Sequence, residues 1–256
     1  MRLTPMETFP KAMTAVFIAG ACLFPVNAAQ SVPTGPEGQA EIHASVPNLI
    51  EHLDAAVRAR EESVLGYTVQ EHYSIFRNGE ANPSAQMTLQ VDYKQGTGKT
   101  YSSVSESGSA LLRATVFSKI LAGEKDMSQA SVRDSVLVDS KNYEMHPEPG
   151  QVELNGRQCY VVDIKPRRAS PHLFNGKAWI DSTDYFVVRL EGIPSKSLSF
   201  MSGETTVARD YIQIDGFPMA SRAEAHSHSF LFGDTVLKIE YSGYQIQRDT
   251  ASAHRP

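Results

Sequence analysis

The sequence predicts an α+β domain in which one long antiparallel sheet is covered by two amphipathic helices. Three observations carry this reading. From Gly66 onward apolar residues recur with a period of two, and Gly/Asn/Asp turns interrupt them at hairpin spacing. Two stretches, near 47–60 and 109–122, show helical spacing instead. The 256 residues are 41% hydrophobic and 21% charged, which suits one soluble domain with a good-sized core. No internal repeat or low-complexity tract is present. A net charge of −5 argues against a nucleic-acid surface, which needs a basic stripe.

The chain opens with Arg2 and Lys11, an apolar run from Ala12 to Phe24, and then Pro25-Val26-Asn27-Ala28. That is the layout of a secretory signal over 1–28, with Val26 and Ala28 at the small-residue cleavage positions. A lipoprotein signal acylated at Cys22 is the alternative, but the Leu usual three residues before the Cys is missing. Cleavage leaves Cys159 as the single cysteine, so no intramolecular disulfide can form. Its strand context, Gln158 to Val162, reads as a buried inert thiol. No later apolar run approaches the roughly 18 residues a membrane span needs, so the mature chain carries no transmembrane segment.

Residues 29–45 hold Pro33, Gly35, Pro36 and Gly38 and read as a flexible leader. A helix follows, with Pro47 in its first turn and Leu49, Ile50, Leu53 and Val57 on one face. Tyr67 to Phe76 alternates as a long strand ending in an Asn78-Gly79 turn. Met87 to Tyr93 and Lys99 to Ser105 form the next pair around Gly96-Thr97-Gly98. The second helix is capped by Ser109 and ended by Gly123, and Leu112, Val116, Phe117, Ile120 and Leu121 give it a broad apolar face. The rest reads as strand: Val136–Val138, 151–154, 158–164, 177–180, 185–190, 207–214, 219–232 and 236–246.

"GTGKT" at 96–100 lacks the first glycine of a phosphate loop, since Tyr93 stands there, and strand follows it rather than helix; it is a hairpin turn. Glu224, His226 and His228 point to one side of a strand and could hold a zinc-like ion or serve a metal-dependent hydrolase. The plainer reading is a polar sheet face. An even turn would set the histidines beside Ile239 and Tyr241, an odd loop beside Lys238 and Glu240. Asp181 and Asp184 are explained by turn formation. No catalytic residue, metal ligand or cofactor is assigned.

The order of elements, together with "NGRQCYVVDIKPR" (155–167), "GKAWIDSTDYFVVRLEG" (176–192) and "LFGDTVLKIEYSGYQI" (231–246), resembles the LolA/LolB-type outer-membrane lipoprotein carriers. The chain is longer than those carriers and offers no counterpart to their lid arginine. The resemblance implies a curved, unclosed half-barrel over 46–247, followed by a disordered tail at 248–256. Helices would pack on its concave face around an apolar cavity. Leu112, Val116, Phe117, Ile120, Leu121, Trp179 and Phe186 are then expected to line that cavity. The implied function is a periplasmic, non-enzymatic carrier or binder of acyl chains or lipoproteins. A sensor or scaffold for an envelope protein partner is the alternative within the same fold.

Overall fold

A computed structural model describes residues 37–196, 205–229 and 233–248. The signal segment, Cys22, the leader up to Pro36 and the tail from 249 lie outside the described residues. Helix α1 spans Glu37–Ser63 and leads directly into β1 (Val64–Arg77). Strands β2 (Ala85–Lys94) and β3 (Gly98–Gly108) follow. Helix α2 starts as Ala110–Leu112, widens through a π-helical turn at Arg113–Phe117, and continues as Ser118–Ser128. A short helix α3 (Ala130–Arg133) and a 3-10 turn come next. The remaining strands are β4 (Tyr143–Pro147), β5 (Val152–Leu154), β6 (Arg157–Pro166), β7 (Phe174–Asp181), β8 (Val187–Pro194), β9 (Thr205–Ile214), β10 (Phe217–Ser229) and β11 (Gly233–Arg248).

The strands form one antiparallel sheet in the order β3-β2-β1-β11-β10-β9-β8-β7-β6-β4, with β5 on β6. The end strands β3 and β4 do not pair with each other, so the sheet stays open, as the family resemblance implies. The long-range step is β1 to β11, where Tyr73 pairs Ile239 and Glu71 pairs Tyr241. The hairpin turns at Asn78-Gly79, Asn155-Gly156 and Asp215-Gly216 all take positive φ at both residues, the geometry that matches strand twist. No helix among the described residues is long and apolar enough to cross a membrane.

Two helices cover one face of the sheet. Under α1, Leu49 and Leu53 pack with Tyr143, Val162, Ile180 and Leu190. Under α2, Leu112 and Phe117 pack with Val69, Tyr73, Met87 and Leu237. The π-helical turn matters here: a wider turn brings residues five apart onto one face. Leu112 and Phe117 are therefore both buried, while Val116 sits at the margin of the core.

The "WID" hairpin behaves as its turn residues require. Asp181 Oδ1 accepts from the backbone N–H of Thr183 at 2.9 Å and of Asp184 at 2.7 Å. The other carboxylate oxygen takes Arg157 at 2.9 Å. Burial works to raise the Asp181 carboxyl, but these backbone donors and Arg157 hold it below the usual carboxylate range. Cys159 is fully buried, and burial, with Asp181 adding, pushes its thiol up to about 11, which leaves it unreactive.

Some expectations need correction. Helix α1 starts at Glu37, so the leader does not run to 45; Glu37, Gln39, Ala40 and Glu41 are good helix formers that the nearby prolines obscured. Helix α2 passes through Gly123 to Ser128, because nothing at Gly123 demands left-handed backbone. Val136–Val138 is not strand; Asp134–Val136 forms a 3-10 turn.

One glycine pair is fixed by close approach. Gly176 and Gly192 face each other across β7 and β8. A Cβ at Gly176 would overlap the Glu191 carbonyl oxygen, and one at Gly192 would lie 2.5 Å from that of Asn175. Because the obstacle is backbone, Gly176→Ala is expected to cost about 2–3 kcal/mol in chemical unfolding.

Candidate functional site

Where the two cores meet, beneath α1 and α2, the sheet leaves a cavity of about 310 Å³. Its wall takes Val207, Ala223, Leu237 and Ile239 from the central strands and Ile120 from α2. Val57, Tyr143, Phe174 and Leu190 close it on the α1 side. Period two explains the strand contribution, since these residues share the face that Tyr73 and Ile75 occupy on β1.

The same wall carries charges inside it. Lys99, just past the Gly96-Thr97-Gly98 turn, is 8% exposed. Its Nζ lies 3.1 Å from Glu71 Oε1 and 3.1 Å from Glu124 Oε2. Arg209 Nη2 donates to the other oxygen of Glu124 at 2.9 Å, and the Tyr73 hydroxyl donates to Glu71 Oε2. Strands β1, β3 and β9 and helix α2 thus converge on four ionic groups, two of each sign. Burial would raise the Glu124 carboxyl, but Lys99 and Arg209 outweigh it and hold it at about 2. Burial works to lower Lys99, yet Glu124, Tyr67 and Glu71 keep it well above the ordinary lysine value.

A second ionic group borders the cavity at the end of α1. Arg133 forks onto Glu61 through Nε at 2.8 Å and Nη2 at 2.7 Å. Arg60 Nη1 donates to the same carboxylate at 2.6 Å, and its Nε to the Pro218 carbonyl at 3.0 Å. Burial works to raise the Glu61 carboxyl, but Arg133 and then Arg60 hold it below its ordinary value.

The residues expected to line the cavity divide. Ile120 lines it, whereas Phe186 only borders it, its ring packing with Cys159 and Val188 on the other side of the sheet. Leu112 and Phe117 are 3% and 1% exposed and belong to the packed core under α2, with Val116 and Leu121 at its margin. Trp179 is elsewhere: Ala178 and Ile180 take the inner face of β7, so alternation turns the indole to the other side, against Cys159, Phe186 and Val188.

The histidine strand forms no open ligand set. Glu224 pairs Lys238 and Arg222 pairs Glu240, so the histidines share the face of Lys238 and Glu240. Glu224 accepts from Arg222 at 2.6 Å and bonds His226 at 2.6 Å, while His228 bonds Asp234 at 2.6 Å. Among the described residues no group of three side chains could hold a metal ion.

Sequence reasoning missed Glu71, Lys99, Glu124 and Arg209, as well as Arg60, Glu61 and Arg133. A signal existed for two of them. Glu71 interrupts the inward series Val69, Tyr73, Ile75, and Glu124 continues the helical series Phe117, Ile120, Leu121. A charge on an apolar face is the mark of a buried ion pair.

No protein-family model matches the chain, and no curated protein matches it. Among solved structures it is similar to a putative outer membrane lipoprotein-sorting protein domain from Vibrio parahaemolyticus. That match has 14% identity and a TM-score of 0.44, covering 76% of this chain and 91% of the other. A LolA superfamily protein from Nitrosomonas europaea matches at 12% identity and a TM-score of 0.41, over 82% and 97%. A DUF1329 family protein from Desulfovibrio piger matches at 13% identity and a TM-score of 0.40, over 77% and 92%.

Proposed function

We propose that this protein is exported through its N-terminal signal and acts in the bacterial periplasm as a non-enzymatic binder or carrier of acyl chains or lipoproteins. The observation that supports it is the cavity between the sheet and its two helices, walled by Val207, Ala223, Leu237, Ile239 and Ile120. An alkyl chain gains about 0.8 kcal/mol for each methylene it moves from water onto such a wall. Affinity for straight-chain amphiphiles should therefore rise several-fold per added carbon until the cavity is full. The paired charges of Lys99, Arg209, Glu71 and Glu124 tie the strands and α2 together around the cavity.

The test is organic extraction of the protein purified from the cell envelope, with mass spectrometry of the extract. An acyl lipid in near-stoichiometric amount is the expected result. A clean extract, together with no uptake of cis-parinaric acid by the purified protein, would refute the reading.

A further inference from the structure

We propose that the ligand is an amphiphile with one anionic head, a carboxylate or phosphate, seated on the Arg60–Arg133 pair while its tail lies along the apolar wall. This rests on the cavity holding an acyl chain. The two ionic groups of the cavity differ in balance. Around Lys99 and Arg209 the two cations are matched by Glu71 and Glu124. At the end of α1 two guanidiniums share one carboxylate, Glu61, and among the described residues neither pairs with another. One positive charge is left over, on side chains only 18% and 28% exposed.

The hydrogen-bonding capacity is also unspent there. Arg133 uses Nε and Nη2 on Glu61, and its Nη1 meets no acceptor among the described residues. Arg60 Nη2 has only the Met219 thioether, at 3.7 Å, a weak acceptor. Tyr67 and Tyr93 stack beside them with ring centroids 4.9 Å apart, and neither hydroxyl has an acceptor among the described residues. Arg60, Arg133, Tyr67 and Tyr93 all border the cavity. Convergent donors around an uncompensated, partly buried cation form a site for an anion, and the adjoining apolar wall gives that anion a tail.

The probes are cis-parinaric acid and its methyl ester, titrated by fluorescence onto the full mature chain at about pH 8. The parent protein should bind the acid at least about tenfold more tightly than the ester, the size of one charge-assisted hydrogen bond or more. Arg133→Gln should remove about tenfold from the acid and leave the ester nearly unchanged. Glu61 keeps Arg60 in that variant, so the fold is retained; Arg60→Gln is the second variant should Arg133→Gln fail to fold. Sodium acetate, a head without a tail, should leave the probe in place. Equal binding of acid and ester, or a variant that weakens both alike, would overturn the head assignment and leave the acyl cavity standing. Displacement by low-millimolar acetate would reduce the pair to a plain anion site and overturn the amphiphile. Binding of neither probe would sink the cavity reading and this inference together.

Discussion

Lys99→Met is expected to lower the free energy of unfolding by about 3–5 kcal/mol at neutral pH, the cost of stranding one member of a buried ion pair. Methionine keeps most of the lysine stem, so packing changes little and the charge is what is removed. Glu124 retains Arg209 at 2.9 Å. Glu71, 1% exposed, is left with the Tyr73 hydroxyl as its one remaining donor among the described residues and no cation. Adding Glu71→Gln should therefore recover most of the loss, because a neutral amide can still accept from Tyr73. Chemical unfolding of the two single variants and the double variant measures this coupling directly. A loss under about 1 kcal/mol in Lys99→Met would mean that water reaches the group.

The parent protein carries a matching acid dependence. Glu124 sits at about 2 in the folded chain against an ordinary 4.5, so the folded state favours its charged form. Its stabilising contribution is complete above about pH 4.5 and is lost as pH falls toward 2. In Lys99→Met one of the two cations holding Glu124 down is gone, so that acid-sensitive contribution should shrink.

The sheet was legible because each strand announces itself locally. Alternation over ten residues and an Asn-Gly or Asp-Gly turn are both contained in one window, and the turns fall where positive φ is required. The ionic cavity was not legible for the opposite reason. Glu71, Lys99, Glu124 and Arg209 come from four elements, and only the β1–β11 pairing and the placement of α2 bring them together. Taken singly, Lys99 and Arg209 read as a solvated face, and only Glu71 and Glu124 stand out against an apolar series. "GTGKT" shows the difference: as a motif it is a failed phosphate loop, yet its lysine is the centre of the interior network. Trp179 failed for a subtler reason. The family resemblance puts it in the cavity, but with a period of two one residue of register decides the side, and Ala178 and Ile180 take the inner face.

Helix α2 offers the sharpest separation of fold from function, because core and cavity residues lie on it one turn apart. Phe117 is 1% exposed, with its ring edge-on to Tyr73 at 5.8 Å, and it does not border the cavity. Phe117→Ala should cost about 3–5 kcal/mol, the loss of a buried ring and the void it leaves. The fraction that remains folded should still take up the parinaric ester with nearly parental affinity. Ile120 is half-buried and borders the cavity. Its Ile120→Asp variant should cost less stability, about 1–2 kcal/mol, since the carboxylate opens onto a space water can enter. Uptake of the ester should nevertheless fall at least about tenfold, because the tail would have to expel that water and bury the charge. Paired titrations and unfolding curves on the two variants decide the matter. If Ile120→Asp binds the ester as the parent does, the chain does not lie along this wall. If Phe117→Ala loses binding while its folded fraction is intact, the boundary between core and cavity on α2 is misplaced.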